Sequence, residues 1–251
     1  MKEGLMANGE HISEDKDILK QLLDPSYPLI QRFKESCPGT YKHSQALSTM
    51  TEGVALALGL DVESMKVAAL YHDIGKMFNP RFFTENQLDE ENPHDKLEPR
   101  MSYQIISRHI SDTSLILLND KNFPRELIEL VTQHHGTTIV RYFFDKSGGK
   151  SEEAFRYKGT KPKCVESMIL MICDNLEAKT RSELQAGRKI AAKDIIEETI
   201  NYLLSDGQLD DVVMRLGDLQ KIKDSLLKEM EGTFQKRIDY TKAKQEHNID
   251  K

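Results

Sequence analysis

Apolar residues recur at helical spacing along most of the chain, from about Glu14 onward. Residues three and four apart share one face of a helix, so this period predicts amphipathic helices. Strand-like alternation is scarce, and its best candidate is the short run 137–144. The pattern therefore predicts an all-α globule. The predicted helices lie near residues 14–23, 28–36, 42–58, 62–75, 99–118, 124–135, 162–181, 191–205, 218–231 and 234–246.

Two longer segments without helical periodicity interrupt this pattern. Residues 77–98 are rich in Asn, Pro and acidic side chains, and residues 136–161 combine a Ser-Gly-Gly turn with many aromatic residues. Segments of this length inside a compact domain are usually functional or disordered. We expect residues 1–13 to form a polar leader. Residues 14–251 are expected to form one helical domain with a C-terminal helical extension.

Composition excludes several broad classes of protein. With 30% charged and 38% hydrophobic residues, the chain is typical of a globular protein. Its net charge of −6 argues against a partner that is a nucleic-acid polymer. The apolar runs are shorter than the roughly 18 residues of a transmembrane helix, and no secretory signal opens the chain. Three cysteines without a CxxC pair indicate reduced thiols, so we expect a cytoplasmic protein.

Five of the eight histidines continue the apolar faces of predicted helices. They are His43, His72, His109, His134 and His135. A single histidine on such a face is more often a core residue with one hydrogen-bond partner. A buried imidazole is costly unless its nitrogens are satisfied, so five of them in one globule indicate a shared partner. Neutral imidazole is a common metal ligand, and we therefore expect a divalent metal site.

Two aspartates extend this candidate ligand set. Asp73 follows His72 directly, which suits a carboxylate that bridges two metals. Asp174 follows the apolar run 168–173, whose helix is predicted to be buried on all sides. A buried salt bridge to Lys179 or Arg181 is the alternative for Asp174. Mixed imidazole and carboxylate ligands favour iron, manganese or zinc over calcium.

The stretch His72-Asp73-Ile74-Gly75-Lys76, with an earlier histidine and a later aspartate, resembles the HD superfamily of metal-dependent phosphohydrolases. An ordered set of further motifs is similar to one branch of it, and the resemblance covers roughly residues 22–240. That branch is the cytosolic catalytic domain of PgpH-like seven-transmembrane HD receptors, which are cyclic di-AMP phosphodiesterases. The further motifs lie at residues 38–44, 85–87, 92–95, 134–138 and 155–157.

The resemblance implies an HD-domain helical globule that holds two divalent transition metal ions, iron or manganese. Asp73 would bridge the two ions, and the long loop 136–161 would lie over them. The implied reaction is hydrolysis of cyclic di-AMP to 5′-pApA. The first ion would be held by His43, His72, Asp73 and Asp174, and the second by His109, His134 and His135.

The resemblance also bears on where the protein lies in the cell. The family is membrane-tethered, whereas this chain has no membrane segment in its sequence. It is therefore either an excised domain at the cytosolic face of the membrane or a soluble relative. The C-terminal helices are amphipathic and are expected to pack on the body or on a second subunit, which would make a homodimer.

An anionic substrate requires local cations in an acidic chain. Lys76 lies three residues after Asp73, and Arg181 lies seven after Asp174, which is nearly the same helix face. We expect both to contact phosphate, and we expect His72, Asp73 and Lys76 to act in catalysis. An ion pair near the start of the loop for Lys76 and an i,i+4 pair with Glu177 for Arg181 are the alternatives.

The 136–161 segment supplies candidates for base recognition. Tyr142 and Arg156 could stack on adenine through an aromatic face and a guanidinium plane. An aromatic cluster that pins the segment to the body is the alternative.

Three other functions stay open at this point. The first is an HD enzyme that acts on cyclic di-GMP or another nucleotide, although the paired histidines are followed by Gly136-Thr137-Thr138 and not by Gly-Tyr-Pro. The second is a catalytically silent sensor domain that binds metal or nucleotide. The third is a structural helical module, which predicts no bound metal.

Overall fold

The computed structural model describes residues 16–87, 91–188 and 190–247. Its helices are α1 (16–23), α2 (Pro28–Ser36), α3 (Pro38–Leu58), α4 (Val62–Tyr71), α5 (Pro99–Ser107), α6 (His109–Asn119), α7 (Arg125–Thr132), α8 (Arg141–Lys146), α9 (Val165–Gln185), α10 (Ala192–Ser205) and α11 (Leu216–His247). Short 3-10 turns lie at Ile74–Phe78, Pro80–Phe82, Thr84–Asn86, Pro93–Lys96 and Glu152–Phe155. Over these ranges the chain contains no strand, only a single bridge between Ile139 and Arg156. The all-α prediction is therefore confirmed.

The leader predicted at residues 1–13 lies outside the described residues, and the division into leader and domain stays a prediction. None of the helices in the described ranges is long and apolar enough to cross a membrane.

The core is built around α9. Its run Met168–Cys173 is buried on all sides, as the apolar sequence predicted. Helix α3 packs against α4, α9 and α11, and α9 also contacts α4, α7 and α10. Because α3, α4, α7 and α9 meet around the same core, side chains from distant parts of the sequence face one another at its centre.

Several predicted helix boundaries are wrong. The helix expected at 62–75 ends at Tyr71 and continues as a 3-10 turn. The helix expected at 99–118 is divided at Arg108, and the one expected at 124–135 ends at Thr132. The two helices expected after residue 218 are one helix, α11. The first three differences fall beside predicted metal ligands, where side chains compete for the backbone carbonyls.

The 136–161 segment is anchored by its own small aromatic core. The best strand candidate, 137–144, is not a strand, because its second half lies in α8 and Ile139 makes only a single bridge with Arg156. Phe143, Phe144 and Phe155 pack with Tyr103 of α5, so these rings pin the segment to the body. Tyr142, in contrast, is 59% exposed. The aromatic core of the segment is therefore buried, while the ring of Tyr142 lies on the surface.

Candidate metal centre

Three predicted ligands lie within two residues of the C-terminal ends of helices α4, α5 and α7. In each, the ring Nδ1 lies within hydrogen-bond distance of the backbone carbonyl three residues earlier. A carbonyl oxygen only accepts, so Nδ1 carries a proton in each ring and Nε2 is the nitrogen that faces the cluster. The last carbonyls of a helix lack intrahelical partners, and here the imidazoles supply them. The pairs are His72 with Ala69 (2.8 Å), His109 with Ile106 (2.6 Å) and His134 with Val131 (2.6 Å).

The carboxylate of Asp73 lies between two groups of histidines. Its Oδ1 is 3.2 Å from Nε2 of His109 and 3.7 Å from Nε2 of His134. Its Oδ2 is 3.1 Å from Nε2 of His72 and 3.7 Å from Nε2 of His43. Each oxygen therefore faces one group, which is the geometry a bridging carboxylate needs.

Asp174 closes the cluster from α9. Its Oδ1 lies 3.1 Å from Nε2 of His43 and 3.7 Å from Nε2 of His72, and its Oδ2 lies 3.6 Å from Nδ1 of His135. The candidate ligand atoms form two sets, each within 4.8 Å, and Asp73 belongs to both. All seven residues singled out from the sequence are thus brought together. The sets are His43, His72, Asp73 and Asp174, and Asp73, His109, His134 and His135.

The donor set fits divalent transition metals. Asp73 Oδ1, His109 Nε2 and His134 Nε2 are buried without a hydrogen-bond partner in the described part of the protein. Buried polar atoms are nearly always paired, so three that converge on one space indicate a shared positive ligand. Imidazole nitrogens mixed with carboxylate oxygens suit metals such as iron, manganese or zinc.

The buried charged groups of the cluster strongly shift the pKa values of their neighbours. Burial alone would raise the pKa of Asp73, but the positive charges of His72 and Lys76 hold it well below its usual range. Burial alone would lower the pKa of His72, but Asp73 and Asp174 raise it to about 10. Burial and the neighbouring His134 hold the pKa of His135 well below its usual range. The carboxylates therefore stay ionised, as metal ligands must.

A ring of charged side chains encloses the cluster, and two of its members were not predicted from the sequence to be site residues. Glu85 and Glu177 are both largely buried. Glu177 lies three residues after Asp174, hence on the same helix face, which was a signal that could have identified it. The contacts in order are Asp73–Lys76 (2.7 Å), Lys76–Glu85 (2.8 Å), Glu85–Arg181 (3.7 Å), Arg181–Glu177 (3.5 Å) and Glu177–His43 (2.7 Å).

The cations expected to contact substrate are held by carboxylates. Lys76 pairs with Asp73 and Glu85, and burial by itself would lower the pKa of Lys76, but these two charges raise it well above its ordinary value. Arg181 lies between Glu85 and Glu177, so the i,i+4 pair is present. A direct contact of Lys76 or Arg181 with phosphate stays a prediction.

Arg156 fastens the 136–161 segment to the C-terminal end of α10. Its guanidinium donates to both oxygens of Asp206, at 2.7 and 3.0 Å, and to the carbonyl of Thr137 at 2.9 Å. A further bond reaches Glu152. These contacts support the pinning alternative for Arg156. Stacking on adenine by Arg156 or by the exposed Tyr142 stays a prediction.

Tyr157, the last residue of the motif at 155–157, also lies at the site, although it was not among the site residues predicted from the sequence. Its ring stacks on His135, with centroids 4.3 Å apart and an interplanar angle of 21°. It is also nearly perpendicular to the ring of His109, with the two centroids 6.1 Å apart. The backbone of Tyr157 donates to Thr138 at 2.9 Å, which brings the end of the segment back to the paired histidines where it began. Tyr157 therefore holds the ring of His135 in place.

Replacing Glu177 with alanine is expected to weaken metal binding about 10–100-fold. The carboxylate accepts from Nδ1 of His43 at 2.7 Å, which fixes the ring so that Nε2 faces Asp73 and Asp174. Metal affinity measured by competition with a chelator checks this. Glu183→Ala on the same helix is the control, because Glu183 pairs with Arg188 outside the cluster. Equal affinities for both variants would contradict the assignment of Glu177.

The sequence matches the HD domain over residues 40–179, and the chain belongs to the HD domain family. It is similar to the Cyclic-di-AMP phosphodiesterase PgpH of Bacillus subtilis, at 36% identity over 229 residues, which make up 90% of this chain and 32% of that protein. The PgpH protein of Listeria monocytogenes is 34% identical, and the match covers 88% of this chain and 31% of that one. The chain thus spans about a third of these curated relatives.

Solved structures agree with this assignment. The crystal structure of the L. monocytogenes phosphodiesterase PgpH HD domain has a TM-score of 0.78 at 34% identity, covering 83% of this chain and 100% of that one. The same domain in complex with Cyclic-di-AMP has a TM-score of 0.75 at 33% identity, covering 84% and 99%. The PgpH-like branch and the helical HD fold expected from the motifs are confirmed.

Proposed function

We propose that this chain is a metal-dependent phosphodiesterase that hydrolyses cyclic di-AMP to 5′-pApA. The observation that carries the proposal is the position of Asp73, whose two oxygens face two separate groups of buried histidines. The similar proteins are named cyclic di-AMP phosphodiesterases, and this supports the choice of cyclic di-AMP as the substrate. A similar HD domain is solved in complex with that molecule.

Two divalent cations, iron or manganese, would occupy the cluster. His43, His72 and Asp174 would hold one, His109, His134 and His135 the other, and Asp73 both. When bound, such a pair supplies an activated water nucleophile and offsets the charge on the phosphoryl oxygens.

The protein's own residues prepare this chemistry before substrate arrives. The helix-end carbonyls keep a proton on Nδ1 of His72, His109 and His134, so Nε2 is the nitrogen that would ligate a metal. Lys76 offsets the charge of Asp73 and fixes Oδ2 by a 2.7 Å contact. Because these side chains are already oriented and buried, they need little reorganisation when the reaction occurs.

The decisive experiment combines elemental analysis with side-by-side assays of cyclic di-AMP and cyclic di-GMP. We expect about two metal ions per chain by the two-metal geometry, faster turnover of cyclic di-AMP, loss of activity with a chelator and recovery on adding manganese or ferrous iron. The double variant His72→Ala, Asp73→Ala should be inactive.

Each alternative gives a different outcome in the same experiment. Faster turnover of cyclic di-GMP would reassign the substrate. Bound metal and nucleotide without any hydrolysis would indicate a silent sensor. A chain without metal in any preparation would indicate a structural module. We also propose that the domain acts in the cytoplasm or at the cytosolic face of the membrane, and that a homodimer would pair through its C-terminal helices.

A further inference from the structure

His135 has the least local support of the five histidines in the metal centre. The other four hold Nδ1 against a carboxylate or carbonyl oxygen at 2.6–2.8 Å. Nδ1 of His135 is 3.6 Å from Asp174, which is too long for a hydrogen bond, and its ring makes no hydrogen bond to another described residue. Stacking on Tyr157 fixes the plane of the ring. The position of the ring therefore depends on the backbone turn that carries it, residues 134–138.

The side chain of Gln208 binds this turn two residues beyond His135. Its Oε1 accepts from the backbone N–H of Thr137 at 2.9 Å, and its Nε2 donates to Thr137 Oγ1 at 3.0 Å. The carbonyl of Thr137 accepts from Arg156 at 2.9 Å, so all three polar groups of Thr137 are bound. Gln208 is fully buried. Hydrogen bonds that are buried and fully satisfied make a structure rigid, so these contacts fix the turn.

The residue between His135 and Thr137 is shaped for this contact. Gly136 has a φ of 51°, in the left-handed region that favours glycine. A Cβ at this position would lie 2.5 Å from Oε1 of Gln208. Glycine therefore allows both the turn after the paired histidines and the close approach of the Gln208 amide.

The position of Gln208 follows from the way α10 ends. The backbone N–H of Gly207 binds the carbonyl of Leu204 at 3.0 Å, and that of Gln208 binds the carbonyl of Leu203 at 2.9 Å. This pair of bonds is a Schellman cap, with the left-handed residue it needs at Gly207. Nε2 of Gln208 also donates to Asp206 Oδ2 at 2.9 Å. The helix cap and Asp206 together orient the amide of Gln208.

We propose that Gln208 is a positioning residue for the second metal ion and acts through the turn that carries His135. Gln208 lies outside residues 40–179, the range that matches the HD domain. The end of α10 is thus a working part of the metal centre, although it supplies none of the candidate ligands. The proposal rests on the two-metal centre of the proposed function, but not on the identity of the substrate.

The test measures manganese binding to the metal-free full chain by calorimetric titration and by electron paramagnetic resonance. Gln208→Met keeps the length of the side chain but cannot bind Thr137. We expect the second ion to bind about 10–100-fold more weakly, the usual cost of losing an outer partner of a ligand. The first ion should keep its affinity, and the signal of a coupled manganese pair should need more metal to appear.

Two further variants keep the test decisive if Gln208→Met folds poorly. Gln208→Glu keeps an acceptor for the backbone of Thr137, so it should bind the second ion more tightly than Gln208→Met. Thr137→Val removes only the hydroxyl group and should weaken the second ion in the same direction. Unchanged affinity in Thr137→Val together with no recovery in Gln208→Glu would contradict the proposal.

Thr199→Val is the control for lost stability. Thr199 is a buried residue of α10 whose hydroxyl donates to the carbonyl of Ile195 at 2.7 Å, and it belongs to neither ligand set. We expect this variant to melt at a lower temperature and to bind both ions normally. Equal weakening of both ions in Gln208→Met, or the same loss in Thr199→Val, would make Gln208 a structural residue only and overturn the proposal.

The outcomes separate this proposal from the one on which it rests. Wild-type affinity for the second ion in Gln208→Met would overturn the role of Gln208 and leave the phosphodiesterase intact. Wild-type protein that binds two ions without hydrolysing cyclic di-AMP would overturn the proposed function, while the selective loss in Gln208→Met would still support the role of Gln208. Wild-type protein that never binds a second ion would overturn both.

Discussion

Asp73→Asn is expected to remove bound metal and to reduce hydrolysis by more than the roughly 100-fold that loss of an outer partner costs. An amide has the shape of the carboxylate but only one oxygen. Whichever group of histidines faces its nitrogen, His109 and His134 or His43 and His72, therefore loses the shared ligand. The buried Lys76 also loses part of its counter-charge. Elemental analysis and kcat measure the two effects.

The matched control for this variant is Asp120→Asn. Asp120 accepts a hydrogen bond from Tyr27 at 2.7 Å and belongs to neither ligand set. We expect this variant to keep its metal and its turnover. Full metal occupancy together with normal kcat in Asp73→Asn would rule out a bridging role for Asp73.

Gly75→Ala should destabilise the protein by about 3 kcal/mol or more, the upper range for overpacking. A Cβ at this position would lie 2.1 Å from the carbonyl oxygen of His109 and 2.4 Å from the backbone nitrogen of Thr113. The backbone of Gly75 also donates to Thr113 Oγ1 at 2.9 Å, so the turn cannot withdraw without losing this bond. The first turn of α6 would have to move, and His109 with it.

Thermal melting and metal affinity together measure this effect. For a chain of this size, about 3 kcal/mol corresponds to a Tm lower by about 6–12 °C. The second ligand set, which contains His109, should lose affinity as well. Gly217→Ala is the control, because a Cβ there meets nothing within 4 Å. If Gly75→Ala melts like Gly217→Ala, the close contact with α6 has no energetic importance.

Local sequence patterns were sufficient to predict where most of the helices lie. The helix predicted at 28–36 matches α2, which begins at Pro28, and the one at 191–205 differs from α10 by one residue. Asp61 caps the start of α4, since its side chain accepts from the backbone of Ser64 at 2.7 Å. Apolar period, first-turn proline and capping side chain all act within a few residues, so they can be read without knowing what packs nearby.

Helix ends at the candidate site could not be predicted in the same way. The 3.6-residue period placed His72, His109 and His134 on continuous helices, yet each lies at a helix end where its ring binds a carbonyl. An imidazole Nδ1 that donates to a backbone carbonyl competes with the helical N–H that would otherwise bind that carbonyl. Which of the two wins depends on the groups that face Nε2, and these come from distant parts of the chain. The identity of the residues was therefore predictable, while their backbone setting was not.

The sequence by itself determined an all-α fold, the positions of most helices and the seven residues that meet in one cluster. These follow from periodicity and from the chemistry of imidazole and carboxylate. Only the tertiary structure decided which oxygen of Asp73 faces which histidines and that Glu85 and Glu177 enclose them. It also decided that Lys76 and Arg181 are paired with carboxylates. The reason is that Coulomb and hydrogen-bond energies depend on distances between residues far apart in the chain, which no local pattern contains.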